Sequence, residues 1–240
     1  MTVRATAAKA TATAGLSVRI GVRGYKATQH LWAARRSARE SRELEASLAG
    51  THSASVELEA VSTNAVLLSV AFIEASVNEV LQDVAESEPG NLNSRCAGID
   101  EDAAALIREL WTKPAKLERA GILDKYQISL TACRRLPFDR GANPYQAASK
   151  LIELRNALVH FKPEWQMAGE EHALKKQLSN LFPGSSIFAG PVHPWYPSVC
   201  LASGCAEWAH TTATELVDEW WRRMGLARDY HEDLRQMPLP

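Results

Sequence analysis

Between Ser55 and Glu86 the chain has neither glycine nor proline. A stretch of that length without a breaker predicts one helix of roughly thirty residues, ~45 Å long. Its middle, from Ala65 to Leu81, is apolar on nearly every side. Such a helix needs cover all round, so it belongs at the centre of a bundle or beneath a second subunit. The longest uninterrupted apolar run, near Ala65 to Ile73, is broken by Ser69 and falls short of the ~20 residues of a membrane span. The expectation is therefore a soluble chain with no membrane partner.

The rest of the sequence supplies the cover. Residues 30–49 are helical and highly charged, and Gly50-Thr51-His52-Ser53 breaks that helix. Glu88-Pro89-Gly90-Asn91 ends the long one. Asp100 or Asp102 caps a helix running to Thr112, with Leu106, Ile107, Leu110 and Trp111 inward. Lys116 to Leu136 is helical with a break near Gly121, and Pro137–Pro144 is a linker. A motif helix spans 144–161, with Asn143 as cap, Pro144 at the first helical position and Gln146 closing a capping box. Pro163 forces its end near His160 or Phe161. Residues 167–181 are a polar insertion with Leu174, Leu178 and Leu181 on one stripe. Residues 182–204 form a long irregular loop rich in proline, glycine and aromatics, read as an apolar lid in preference to a base-stacking surface. The last helix spans 202–224, and its adjacent Trp220 and Trp221 cannot both face one core, which points one of them at an interface. The fold class is all-α, a bundle of four to five main helices over residues 30–225, with a frayed tail at 226–240.

Residues 1–29 read as a basic flexible segment. Residues 1–39 hold eight Lys or Arg and no acid, with alternation at Val18, Ile20 and Val22 suggesting one short strand over Ser17–Val22. This composition superficially resembles an organelle transit peptide, but a basic arm able to touch phosphates is preferred. The whole chain of 240 residues carries a formal charge of −1, which excludes a general nucleic-acid coat protein but not a local RNA cleft. Cys96, Cys133, Cys200 and Cys205 have no framework spacing, so a reduced, cytoplasmic setting is expected. Cys200 and Cys205, with His193 and His210 nearby, fit no familiar zinc pattern. A zinc enzyme built on them is the weakest reading. No Walker loop, dinucleotide fingerprint, HExxH or nucleophile elbow is present.

One stretch argues for chemistry. In Leu154-Arg155-Asn156-Ala157-Leu158-Val159-His160-Phe161-Lys162-Pro163 an arginine sits inside an apolar helical face. At ~100° per residue, Tyr145, Ala147, Ala148, Leu151, Ile152, Leu154, Leu158 and Val159 fill one half of the wheel, with Arg155 near its centre. A buried cation is costly unless paired or used. His160 lies about 140° from Arg155 on an ideal helix, so the pair converges only if the last turn deviates or a second chain brings another copy close. In the long helix, Glu74 and Asn78 share a face one turn apart. Glu74 is expected to pair with Arg155, directly or through Asn78, as a positioning residue.

Arg155-Asn156 followed after three residues by His160 resembles the signature of the HEPN superfamily, an all-helical group with many ribonucleases. Their motif is arginine, four to six residues, then histidine, with a small polar residue after the arginine. Phe72-Ile73-Glu74-Ala75-Ser76-Val77-Asn78-Glu79 is similar to their long earlier helix, and the resemblance covers roughly residues 55–225. It implies a homodimer whose composite cleft cuts RNA with neither metal nor cofactor. His160 would be the general acid/base, Arg155 would stabilise the phosphate charge, and Asn156 would orient the histidine or bind phosphate. Products would be a 2′,3′-cyclic phosphate or 3′-phosphate and a 5′-hydroxyl. The role implied is a toxin or phage-defence effector with a cognate antitoxin protein. Some relatives carry a modifiable tyrosine two residues after the histidine. Here that position is Lys162, which suits RNA phosphates instead. The competing reading is a non-catalytic helical module that binds a partner protein or nucleotide.

Overall fold

The structure, a computed structural model, describes residues 9–13, 17–51, 55–112, 116–165, 171–188 and 193–238. The protein is all-α apart from one N-terminal hairpin. In that hairpin β1 (Lys9–Thr13) pairs antiparallel with β2 (Ser17–Gly21), with Thr11 opposite Arg19. β2 coincides with the alternation at Val18 and Ile20. Its partner lies in Ala/Thr-rich sequence that carried no strand pattern.

The helices are α1 (Ala27–Ser47), α2 (Val56–Glu86), α3 (Glu101–Trp111), α4 (Ile122–Ala132), α5 (Tyr145–Val159), α6 (Ala173–Leu178), α7 (Ser203–Met224) and α8 (His231–Arg235). α2 is the long helix read from the sequence. Ser55 caps it by accepting from the Leu58 N–H at 3.2 Å, and Glu57 and Glu59 favour its positive end. α1, α3, α4, α5 and α7 all pack on α2. The bundle thus has six main helices among the described residues instead of four to five, because α3 and α4, though short, are both needed to sheathe α2.

By length and composition α2 is apolar enough to cross a membrane, contrary to the expectation that no stretch approached that. A core helix meets the same criterion, and here Val66, Phe72, Ile73, Val77, Val80, Leu81 and Val84 are buried against neighbouring helices. Small residues let α1, α2 and α7 approach closely. Ala38, Ala65 and Ala206 form their own cluster, and the hydroxyls of Ser41 and Ser62 bond at 2.7 Å across the α1–α2 contact.

Three carboxylates fasten the bundle at its ends. Asp83 of α2, with a fully buried side chain, takes Arg23 Nη2 at 2.9 Å, Arg95 Nε at 3.3 Å and the Tyr25 hydroxyl at 3.2 Å. One turn earlier, Glu79 accepts from the Lys26 and Ala27 N–H groups at 2.6 and 2.8 Å, capping α1 from another helix, and pairs with Arg95 at 2.9 Å. At the far end, Glu45 of α1 accepts from the Ser186 and Ser203 N–H groups, both at 3.0 Å, and so caps α7. No side chain of α1 or α7 supplies its own N-terminal cap.

Several local expectations change. Leu106 is exposed, while Ala103, Ala104, Ile107 and Trp111 form the inward face of α3. Asn143 does not cap α5; Pro144 holds the cap position without a side-chain bond, and the Ala142 and Pro144 carbonyls start the ladder. The Asp139–Ala142 turn already delivers the chain in helical register, so no side-chain cap is required. Trp220 and Trp221 are both buried, edge to face at 5.8 Å. Residues 226–235 make this possible by folding back as cover instead of fraying. The Trp221 indole donates to the Arg228 carbonyl at 2.6 Å, and Tyr230 packs on its ring at 5.2 Å. The turn into this cover needs glycine at two places: Gly225 has φ of +71°, and a Cβ on Gly98 would lie 1.9 Å from the Gly225 carbonyl oxygen. The loop from Phe182 is a packed lid: Phe182 stacks on Trp195, Phe182, Ile187, Phe188, Tyr196 and Leu201 are buried, and residues 189–192 lie outside the described residues.

Asp83→Asn is expected to destabilise the protein by about 3 kcal/mol in urea unfolding, because two arginines lose their buried carboxylate. Glu45 is drawn in two directions. Burial raises its pKa, and bonds from Ser203 and Ser186 lower it further, leaving it below the usual 4.5. A carboxylate depressed in the folded state stabilises fully above its unfolded pKa, and that contribution is lost as pH falls through the folded value. Stability should therefore decline on acidification through and below pH 4.5. In Glu45→Gln, urea midpoints measured against pH should show a shallower decline and about 1 kcal/mol less stability at neutral pH.

Candidate functional site

The motif lies at the open end of α5. Ala147, Ala148, Leu151 and Leu154 are buried against α2 and α7. Further along the cover thins: Ala157 and Leu158 are only half-buried, and Val159 is exposed. Arg155 occupies this transition. It is half-buried, not sunk in the core as its central place on the wheel suggested, because the sheath ends before closing over it. Its Nε is buried without a hydrogen-bond partner, and Arg155 has no ion pair among the described residues.

His160 is the first residue past α5. Its N–H donates to the Asn156 carbonyl at 2.9 Å, and its φ of −105° and ψ of 32° leave the helical path. The deviation in the last turn anticipated from Pro163 is therefore present. His160, Asn156 and Lys162 are all exposed. No hydrogen bond joins the Arg155, Asn156 and His160 side chains to one another among the described residues. The last turn of α5 and the residues after it thus carry a half-buried arginine and, separately, an exposed amide, imidazole and ammonium.

The expected bond from Glu74 to Arg155 is not formed. Asn78 instead accepts from Lys125 Nζ at 2.8 Å, and Glu74 is a charge neighbour of the same ammonium. Lys125, on α4, is almost fully buried and lies 5.8 Å from the centre of the Trp111 ring. Burial lowers its pKa below the usual lysine value, against the opposing pull of Glu74 and Glu118. Asn78 and Glu74 therefore face Lys125, and among the described residues neither is bonded to Arg155. The signal was present: Ile122, Tyr126, Ser129 and Leu130 recur at helical spacing, and Lys125 falls on their stripe.

Behind His160 the segment 161–165 is braced by the lid. The Phe161 ring lies 6.1 Å from that of Tyr196, and His172 also stacks on Tyr196, at 5.2 Å. His172 Nδ1 accepts from the Leu174 N–H at 3.1 Å, which puts the ring proton on Nε2, 3.8 Å from Glu164. Burial pushes the Tyr196 hydroxyl up to about 12, so it stays protonated at neutral pH.

The cysteines do not form a metal centre. All four are buried free thiols. The neighbouring Cys200 thiol, together with burial, raises the Cys205 pKa well above the usual thiol value. His210 pairs with Glu207 at 3.4 Å, and His193 lies against Phe188. Among the described residues no three metal-binding side chains come together.

Compared with known proteins, the chain matches no family, no curated protein and no solved structure.

His160→Ala should leave the urea midpoint unchanged within about 0.5 kcal/mol, because the ring is exposed. Arg155→Ala should cost about 1 kcal/mol through lost packing of its stem. A loss of ~3 kcal/mol or more would mean that Arg155 holds a buried carboxylate after all.

Proposed function

We propose that the protein is a metal-independent endoribonuclease of HEPN type, acting as a homodimer in the cytoplasm as a toxin or phage-defence effector. The observation that carries the reading is the Arg155 guanidinium. Its Nε is buried and unpaired, in the helical turn that ends at an exposed histidine. A buried donor without a partner costs about 1–3 kcal/mol, and such groups in native proteins call for an explanation. Nε itself is enclosed, but the residue is only half-buried, so the outer guanidinium nitrogens are free to meet a phosphate with the planar fork for which arginine is suited.

On this reading His160, or its copy in a second subunit, takes the proton from a 2′-hydroxyl as that oxygen attacks the adjacent phosphorus. The P–O5′ bond breaks and the leaving 5′-oxygen takes a proton from an imidazolium, that of His160 or of its copy in the second subunit. Arg155 offsets the charge gathering on the non-bridging oxygens. Asn156 adds a neutral donor at the rim, and Lys162 binds a neighbouring phosphate. The products are a 2′,3′-cyclic phosphate and a 5′-hydroxyl. Glu74 and Asn78 do not enter this chemistry.

The test is RNA cleavage by purified protein in EDTA, wild type beside His160→Ala, with analysis of product ends. Cutting that survives EDTA, leaves cyclic phosphates and falls at least a hundredfold in the variant is the expected result. Full activity in His160→Ala rejects the mechanism. Absence of cutting by a folded protein favours the non-catalytic module that binds a protein or nucleotide.

A further inference from the structure

Immediately after His160 the chain exposes two aromatic rings with a lysine between them. Trp165 is 95% exposed and Phe161 52%. Lys162 is exposed as well. Trp is costly to leave in water, and three exposed large apolar side chains, Val159, Phe161 and Trp165, within seven residues of one another mark a surface that meets something. Two features restrict what that is. From Arg155 to Pro163 the segment has cationic side chains and no acid, and the first acid beyond, Glu164, faces the imidazole of His172. The Phe161 ring also contacts Tyr196, which stacks on His172, while about half of the Phe161 side chain stays exposed. Flat faces alternating with cations are the chemistry of unpaired nucleic acid: bases stack on the rings and phosphates meet the cations, without sequence readout. A duplex, whose bases are already stacked, offers the rings nothing.

We infer that Phe161 and Trp165 form a base-stacking platform for single-stranded RNA, with Lys162 on the intervening phosphate. The inference rests on the ribonuclease reading for its substrate but concerns binding alone. Five residues span at most roughly 18 Å, so the platform holds nucleotides close to the one whose phosphate faces Arg155 and His160. It makes unpaired RNA the substrate and pins the strand on one side of the cut.

The test is fluorescence anisotropy of a short labelled RNA, single-stranded or annealed to its complement, at fixed salt. The full-length protein carries His160→Ala so that nothing is cut, and is compared with the same protein also carrying Trp165→Ala or Trp165→Phe. The expected result is preference for the single strand, a roughly 5- to 150-fold loss of affinity in Trp165→Ala, and recovery of most of it in Trp165→Phe. Equal affinity with and without Trp165, or equal binding of the duplex, overturns the platform. If Trp165→Ala instead splits a dimer in sedimentation while RNA affinity is unchanged, the patch is a contact between copies and the platform is rejected. Trp165-dependent binding by a wild-type protein that cuts nothing would sink the ribonuclease reading and leave the platform standing. His160-dependent cutting of single strands and duplexes alike, unaffected by Trp165→Ala, would do the reverse.

Discussion

A single buried carboxylate, Asp83, sets the geometry of one end of the molecule. Its side chain is out of water, and only the convergence of Arg23, Arg95 and Tyr25 makes that tolerable. Those three residues come from the segment before α1 and from the turn after α2, so both must fold onto α2 before the charge is satisfied. Arg95 is also 4.0 Å from the face of Tyr25 and bonded to Glu79, which in turn holds the first N–H groups of α1. The cluster thus fixes where α1 starts and how it lies on α2. Apolar packing alone would allow α1 to slide, because its contact with α2 is built largely from alanine and serine. The polar cluster supplies the register.

The same division of labour recurs at the other end. Glu45 caps α7 from α1, so the three longest helices are joined by charged or hydroxyl groups at their termini and by small side chains along their lengths. α5 stands outside this frame. It buries its first three turns against α2 and α7 and then runs past them, which is why its final turn carries a half-buried arginine, an exposed valine and an exposed histidine. The candidate site is the overhang of a helix longer than the core that covers it.

That geometry explains which expectations failed. Glu74 and Arg155 each had reason to seek an opposite charge, and pairing them was the simplest solution available from the sequence. In the folded protein α4 reaches Glu74 and Asn78 first, with Lys125, and among the described residues Arg155 has no ion pair. Trp220 and Trp221 were misread for a related reason: a helical wheel allows one buried stripe, whereas the C-terminal segment returns to cover a second.

Local chemistry determined a good deal. The absence of glycine and proline from 55 to 86 with Ser55 in front, Asp100 before α3, the break at Gly121 and the stop imposed by Pro163 are short-range signals. Each was legible because capping, helix propensity and proline geometry act over a few residues. Arg155, Asn156 and His160 were likewise visible as a spacing on one helix. Tertiary structure alone decided the rest: that Glu79 and Glu45 cap helices not their own, that Lys125 claims Asn78, and that residues 226–235 shield Trp221. It also left Arg155 at an edge and turned Phe161 and Trp165 outward. Those outcomes depend on which segments meet in space, and a one-dimensional pattern carries charge and hydrophobicity but not the partner that will reach a buried group first.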